Sequence, residues 1–532
     1  MKKNTYIIPA DFSLLWQAST PPRNTQTDSY LRTDMNLSFL VRALALQTTY
    51  EKTVRSVLLA LDTDPVAIGY RQAIFEDVWR NDALASALLT ILEDIETLES
   101  YLHSPQWKEN PLQQLAWRLS ELERFVKIVE RLYKTLTGAG GKLQSEGLIA
   151  LRGHIINIHD SPILQELREE LPLLLPRVQN IRSITIGMNL NAEMKPISVT
   201  LLDIHTAEFT GAVFMSKFFR RQRVDSEMAG LGELHPMNPS YLHHNNMLSR
   251  LPRGDNAPRF LQLMLDLAQV SKDISLPIIK ALRKYTEIQS RFLLALKDDL
   301  AFYLGAVQLM KKIKAAGMSL TQPELLSSDA REMHLDGLYN INLCVQRLGQ
   351  NNDAGHIVGN DAHFDDGGRL FILTGPNQGG KTTYTQAIGL AQILAQAGLP
   401  VPADSARLSP VDSIYTHFAT EENASLEAGR LGEEARRLHE IFQSITRHSL
   451  VLLNESLAST SASESLLLAR DVVRALRLSG VRGIFATHLH ELASDAESMN
   501  ADSPGDSKII SVVSQVVIDE GDAANPQVRR TY

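Results

Sequence analysis

The sequence predicts a multidomain chain, α at first and α/β at its end, with a largely parallel sheet in the C-terminal part. Three observations carry this reading. Apolar residues recur at three- and four-residue spacings through the first 160 positions, as amphipathic helices require. After residue 368, short and wholly apolar segments alternate with helical ones, the pattern of strands covered on both faces by helices. A glycine-rich stretch ending in Gly380-Lys381 joins the first of these strands to its helix.

In chain order, Leu37, Leu40, Val41 and Leu44 form one helical face, and Leu84, Leu88, Ile91, Leu92, Ile95 and Leu98 another. Thr137-Gly138-Ala139-Gly140-Gly141 breaks this pattern and predicts a loop between helices. The period then changes to two. Ile184, Ile186, Met188 and Leu190 alternate with polar or small residues, and Ile197, Val199 and Leu201 repeat the alternation after Lys195-Pro196, predicting a short β element. From Pro277 to Lys314 the recurrence of Ile278, Leu282, Tyr285, Phe292, Leu296, Tyr303, Val307 and Met310 predicts one long helix. At about 1.5 Å per residue it spans roughly 55 Å, suited equally to a lever and to a core helix. Residues 350–368, rich in Asn, Asp and Gly, predict a loop and a domain boundary. Beyond them come strands at 370–373, 450–453 and 483–486 and helices at 381–397 and 464–478.

The chain's 532 residues suggest about three or four domains at roughly 100–200 residues each. We divide them as a helical domain at 1–160, a mixed helix/β region at 161–250, helices at 251–325 and an α/β domain at 326–532. Hydrophobic residues at 44% and charged residues at 21% allow a large core and argue against wholesale disorder. The single cysteine, Cys344, excludes an intrachain disulfide and a CxxC zinc pair, which suits a reducing cytoplasm. No apolar run approaches the ~18 residues of a membrane span. A net charge of −8 means that nucleic-acid binding would depend on local basic patches.

The stretch Gly375, Pro376, Asn377, Gln378, Gly379, Gly380, Lys381, Thr382 fits GxxxxGK[ST] between an apolar strand and a helix. Glycines there let backbone N–H groups turn toward phosphate oxygens, and the helix N-terminus favours negative charge. Lys381 is placed to reach the β- and γ-phosphates and the Thr382 hydroxyl to ligate Mg²⁺. The second strand of such a site ends in Asn454-Glu455. An amide at 454 can bond a metal-bound water but brings no charge to oppose Mg²⁺, so weakened metal affinity is expected. Glu455 is placed to orient or deprotonate an attacking water. His488 follows the third apolar strand, on the same edge, where a histidine can bond a γ-phosphate or that water. His488 and His490 have no third ligand nearby that would make them a metal site.

In order and spacing, TGPNQGGKTTY, the VPA at 401–403, SLVLLNES, the STS at 459–461 and FATHLHEL resemble the ATPase domain of the MutS DNA mismatch-repair family. Tyr70-Arg71-Gln72 and the long helix are similar, more weakly, to that family's core and lever regions. The resemblance implies an ABC-type P-loop ATPase domain after a helical core and lever region, with ATP and Mg²⁺ as cofactors. It further implies a dimer, here a homodimer, in which each nucleotide site is completed by the partner and ATP state is transmitted to a DNA clamp. By position, Gly375 through Thr383, including Thr383 itself, would bind nucleotide, Asn454 and Glu455 would form the Walker B pair, and His488 would sense phosphate.

Residues 421–434 align with the family's segment that reaches across to the partner's nucleotide. The family's Ser and Thr there fall on Gly429 and Arg430, so a hydroxyl contact is replaced by, at most, a charged one. The family's mismatch-reading Phe-x-Glu occurs nowhere in this sequence, and direct mismatch reading is not expected. Relatives would continue beyond Arg529-Arg530-Thr531-Tyr532 with another strand and a helix, so a truncated C-terminus is one alternative. For DNA contacts the candidates are Lys217, Arg220, Arg221 and Arg223, beside Phe218 and Phe219, with Arg182, Arg250 and Arg253 as further basic residues. The expected function is a DNA-binding ATPase of repair or recombination, with other repair proteins as further partners. The alternative is an ATP-switched protein-interaction module with slow or no hydrolysis and no DNA binding.

Overall fold

The computed structural model describes residues 12–17, 29–103, 111–179, 182–194, 196–209, 278, 280, 282, 285, 290–351, 357–376, 380–419, 427–458, 460–519 and 527–531. The chain begins with α1 (Ser29–Asp34), α2 (Leu37–Leu44), α3 (Glu51–Leu58), α4 (Pro65–Arg80), α5 (Asp82–His103), α6 (Pro111–Gly138), α7 (Glu146–His159) and α8 (Pro162–Gln179). A hairpin follows, β1 (Ser183–Leu190) and β2 (Pro196–His205), and then α9 (Arg291–Ala315). The remainder is β3 (Glu324–Leu325), β4 (Met333–Leu338), α10 (Ile341–Asn351), β5 (Asn360–Phe364), β6 (Leu370–Thr374), α11 (Lys381–Gln396), β7 (Ser405–Leu408), β8 (Ile414–Phe418), α12 (Glu427–Ser444), β9 (Leu450–Asn454), α13 (Ala462–Ser479), β10 (Arg482–Ala486), α14 (His490–Ser494), α15 (Ala496–Asp502), β11 (Ile509–Val513), β12 (Gln515–Asp519) and β13 (Gln527–Thr531). Among the described residues no helix is long and apolar enough to cross a membrane.

The chain forms two compact units, the first built on Thr90–Thr137 and Arg152–Leu294. It holds most of α5, nearly all of α6, all of α8, and the hairpin. Asp94 on α5 takes Lys127 at 3.2 Å and Arg131 at 2.5 Å from α6, and Phe125 meets Phe292 edge to face. The hairpin is antiparallel, with Ile186 opposite Leu201 and Met188 opposite Val199, on the segments whose alternation predicts a β element. Arg182 donates its backbone N–H to His205 and lies 3.8 Å from Glu208.

The second unit comprises Pro9–Leu89, Gly138–Leu151 and Ala295–Tyr532. Its centre is a parallel sheet in the order β11-β6-β10-β9-β8. Leu370, Ile372, Val451, Leu453 and Phe485 pack from the strands against Leu438 of α12 and Val473 and Leu476 of α13, all nearly inaccessible to water. A second sheet, β3-β7-β4-β5, is of mixed direction. Its strand β5 lies inside the stretch read from sequence as a loop. There Ala362 and Phe364 are buried while Asp361 and His363 are exposed, an alternation short enough to be hidden by the surrounding Asn, Asp and Gly.

Helices α1 to α4 belong to this second unit through long-range hydrogen bonds. The Tyr70-Arg71-Gln72 run supplies a set of them: Tyr70 donates to Ser13 O at 2.9 Å, Arg71 to Gln396 O at 2.9 Å and Gln72 to Pro323 O at 3.1 Å. The α1–α2 junction is held by Gln386, which donates to Asp34 O at 2.7 Å, and by Asn342, which donates to Met35 O at 3.1 Å. Local signals start and stop the helices. Asp64 accepts from Val66 N ahead of Pro65 in α4, and Ser461 caps α13, which ends at Gly480 in the left-handed conformation.

Candidate functional site

The C-terminal ends of β6, β10 and β9 lie side by side, Ala486 being in register with Leu373 on one side and Asn454 on the other. In open parallel sheets this edge is where ligands bind. β6 leads into Gly375 at φ 147°, where a Cβ would stand 2.7 Å from the Cβ of Ser514 and 2.9 Å from its carbonyl oxygen. Gly380, at φ 94°, is the N-cap of α11. At both positions a side chain would be strained, which explains glycine there. Asn377, Gln378 and Gly379 lie outside the described residues.

Lys381 opens α11 and is 5% exposed. Its Nζ donates to Gly375 O at 2.9 Å and Pro376 O at 3.3 Å, and stands 3.5 Å from Glu455 Oε1 and 3.4 Å from His488 Nδ1. His488 Nε2 reaches the same Glu455 oxygen at 2.8 Å. An ammonium only donates, so this network is satisfied by the tautomer in which Nδ1 accepts from Lys381 and Nε2–H donates to Glu455. Residues far apart in sequence thus form one small group of cation, imidazole and carboxylate. Beside it, buried Asn454 donates from Nδ2 to Thr382 Oγ1 at 3.1 Å, its Oδ1 lying 3.4 Å from the same hydroxyl.

The turn carrying Glu455 is unusual. Glu455 has φ 56° and Leu457 φ 65°, left-handed conformations that cost a residue with a Cβ about 1–2 kcal/mol. Side chains from neighbouring elements hold it. Glu434 of α12 accepts from Leu457 N at 2.8 Å, Ser465 of α13 donates to Leu457 O at 2.7 Å, and Ser456 Oγ lies 2.7 Å from His417 Nδ1 at β8. The backbone N–H of Glu455 donates to Ala486 O at 2.9 Å, tying the turn to β10. Burial, with Arg437 adding to it, pushes the His417 imidazole down to about 4, so it is neutral at physiological pH.

Of the residues singled out from sequence, the structure groups Gly375, Pro376, Gly380, Lys381, Thr382, Asn454, Glu455 and His488 at this edge. The exposed Thr383 follows Thr382 in the first turn of α11, its carbonyl accepting from Asn340. Gly429 and Arg430 lie in the first turn of α12, with no side-chain placement described, and Lys217, Arg220, Arg221 and Arg223 lie outside the described residues. Glu434, His417 and Ser465 were not found by sequence reasoning. Nothing in their local sequence marks them, because each acts through one hydrogen bond to a turn 8 to 39 positions away.

Comparison with known proteins covers both units. Residues 371–519 match the family described as MutS domain V, and residues 63–316 match the MutS2 N-terminal domain. The DNA mismatch repair protein MutS of Chlorobium chlorochromatii (strain CaD3) is 38% identical over 143 residues, 27% of this chain and 16% of that protein. MutS of Lactobacillus johnsonii is 31% identical over 222 residues, 40% of this chain and 26% of that protein. Endonuclease MutS2 of Thermus thermophilus is 38% identical over 144 residues, 26% of this chain and 19% of that protein. The aligned stretches therefore span 16% to 26% of these relatives' lengths. One match takes in the edge built around Lys381, Glu455 and His488 and the other most of the helical region before it, and on the two together the chain belongs to the MutS family.

Proposed function

We propose that the chain is an ATP-binding, slowly hydrolysing MutS-family protein that acts on DNA in repair or recombination, with an ABC-type nucleotide site. The observation that carries this reading is the meeting of Lys381, Glu455 and His488 at the strand-end edge, beside a glycine-bounded loop opening a helix. The loop amides and the N-terminus of α11 hold the phosphates, and Lys381 exchanges the Gly375 and Pro376 carbonyls for β- and γ-phosphate oxygens. Glu455 orients a water for in-line attack on the γ-phosphorus and accepts its proton, giving ADP and phosphate from ATP and water. His488, already bonded to that carboxylate through Nε2–H, fixes its direction. A second copy completes the site with the segment around Gly429 and Arg430, so nucleotide state sets the closure of a homodimer on DNA.

Magnesium, if bound, would supply charge neutralisation of the triphosphate. The residues at its place are Thr382 and Asn454, two neutral groups hydrogen-bonded to each other, a poor donor set for a hard dication. Turnover is consequently slow, and the neutral Asn454 also favours a second reading, an ATP-switched protein-interaction module.

The test is ATP turnover by the purified chain, alone and with plain, mismatched and branched DNA. Stimulation by any DNA, weakening as salt rises, supports the DNA-bound reading. Bound ATP with turnover indifferent to every DNA selects the protein-interaction module.

A further inference from the structure

P-loop sites hold their metal between the loop hydroxyl and a strand-end aspartate, with phosphate oxygens and waters completing a near-octahedral shell. Here those positions are Thr382 and Asn454, and they are bonded to each other. The amide N–H of Asn454, at 3.1 Å, occupies a lone pair of the Thr382 oxygen. The hydroxyl in turn lies 3.4 Å from Asn454 Oδ1, so both polar atoms of the amide face it. Asn454 is 5% exposed and sits between β8 and β10, in register with Phe418 and Ala486. The neighbouring carboxylate, Glu455, is engaged by His488 at 2.8 Å and lies 3.5 Å from Lys381.

Among the described residues, the charge around the phosphate position is therefore one ammonium, one carboxylate and the positive end of α11. An aspartate at 454 would add a second carboxylate facing the triphosphate, tolerable only with a dication between them. With an amide there, that repulsion is absent and so is the anchor for the cation. Resting on the reading of this edge as a nucleotide site, we propose that it binds nucleoside triphosphate without needing a divalent cation, and that Asn454 removes that need.

The experiment is a titration of the native chain with a fluorescent N-methylanthraniloyl ATP, once in excess magnesium and once in EDTA. The two dissociation constants should agree within about threefold, and Asn454→Asp should bind at least about tenfold more weakly in EDTA than in magnesium. Native binding that weakens more than about tenfold in EDTA overturns the proposal while leaving the nucleotide site standing. Absence of native binding in both media overturns the site and the proposal together.

Discussion

In the proposed function turnover depends on Glu455, and its surroundings explain how it is held. Its backbone lies in the left-handed region, with its carboxylate fixed by His488. Glu455→Gln removes the proton acceptor and keeps the shape, so turnover should fall by at least ~10²-fold while ATP affinity stays within about threefold. Single-turnover kinetics beside a binding titration separates the two. Leu457 shows two opposed effects at one position. Replacing it by glycine relieves about 1–2 kcal/mol of backbone strain but removes a side chain that is 3% exposed in the core, a loss of about 2–5 kcal/mol. The cavity wins, and Leu457→Gly should destabilise the fold by about 1–3 kcal/mol, measured by urea unfolding.

At the scale of elements, α12 is tied to the α1–α2 junction by a buried ion pair. Arg437 bonds the Asp34 carboxylate, donates to Thr416 O at 2.5 Å and lies over the ring of Tyr30 at 3.8 Å. Burial pushes the Asp34 carboxyl up against the opposing pull of Arg437. Arg437→Met leaves that carboxyl buried without its partner and should cost about 3–5 kcal/mol, and adding Asp34→Asn should recover part of the loss. The helix carrying Arg437 also carries Glu434, so the single variant should lower turnover as well. Such ties mark the limit of what the sequence shows. Strand β6, its loop, α11, β9 and β10 were legible because wholly apolar runs and a glycine motif are local signals. The sheet β3-β7-β4-β5 was not, since its strands are two to six residues long and mix His, Asp and Arg with the apolar positions. Nor did periodicity show that α1 to α4 pack with the α/β part, which rests on side chains such as Arg71 and Gln386 reaching across hundreds of positions.

Across the second unit, two buried groups oppose each other as pH falls. His417, held at about 4, stays neutral while the unfolded chain takes a proton near 6.5, so stability falls as pH drops from 6.5 to 4, by about 3 kcal/mol. Asp299 accepts from Ser13 Oγ at 2.8 Å and Leu14 N at 2.6 Å and is pushed up by burial to about 6. It takes its proton before the unfolded chain does at 3.8, so it adds about 3 kcal/mol as pH drops from 6 to 4. The two contributions nearly cancel in the native chain. Asp299→Asn removes one of them, and thermal unfolding at successive pH values should then show an acid loss of about 3 kcal/mol that the native chain lacks. In the proposed function the whole molecule works through a nucleotide bound where Lys381 meets Glu455 and His488. The most direct test is calorimetric titration of ATP into the native chain and into Lys381→Ala, with circular dichroism showing that both are folded. Saturable binding at one site per chain by the native protein, lost in the variant, is the predicted result. Equal binding by the two folded proteins, or none by the native one, would contradict it.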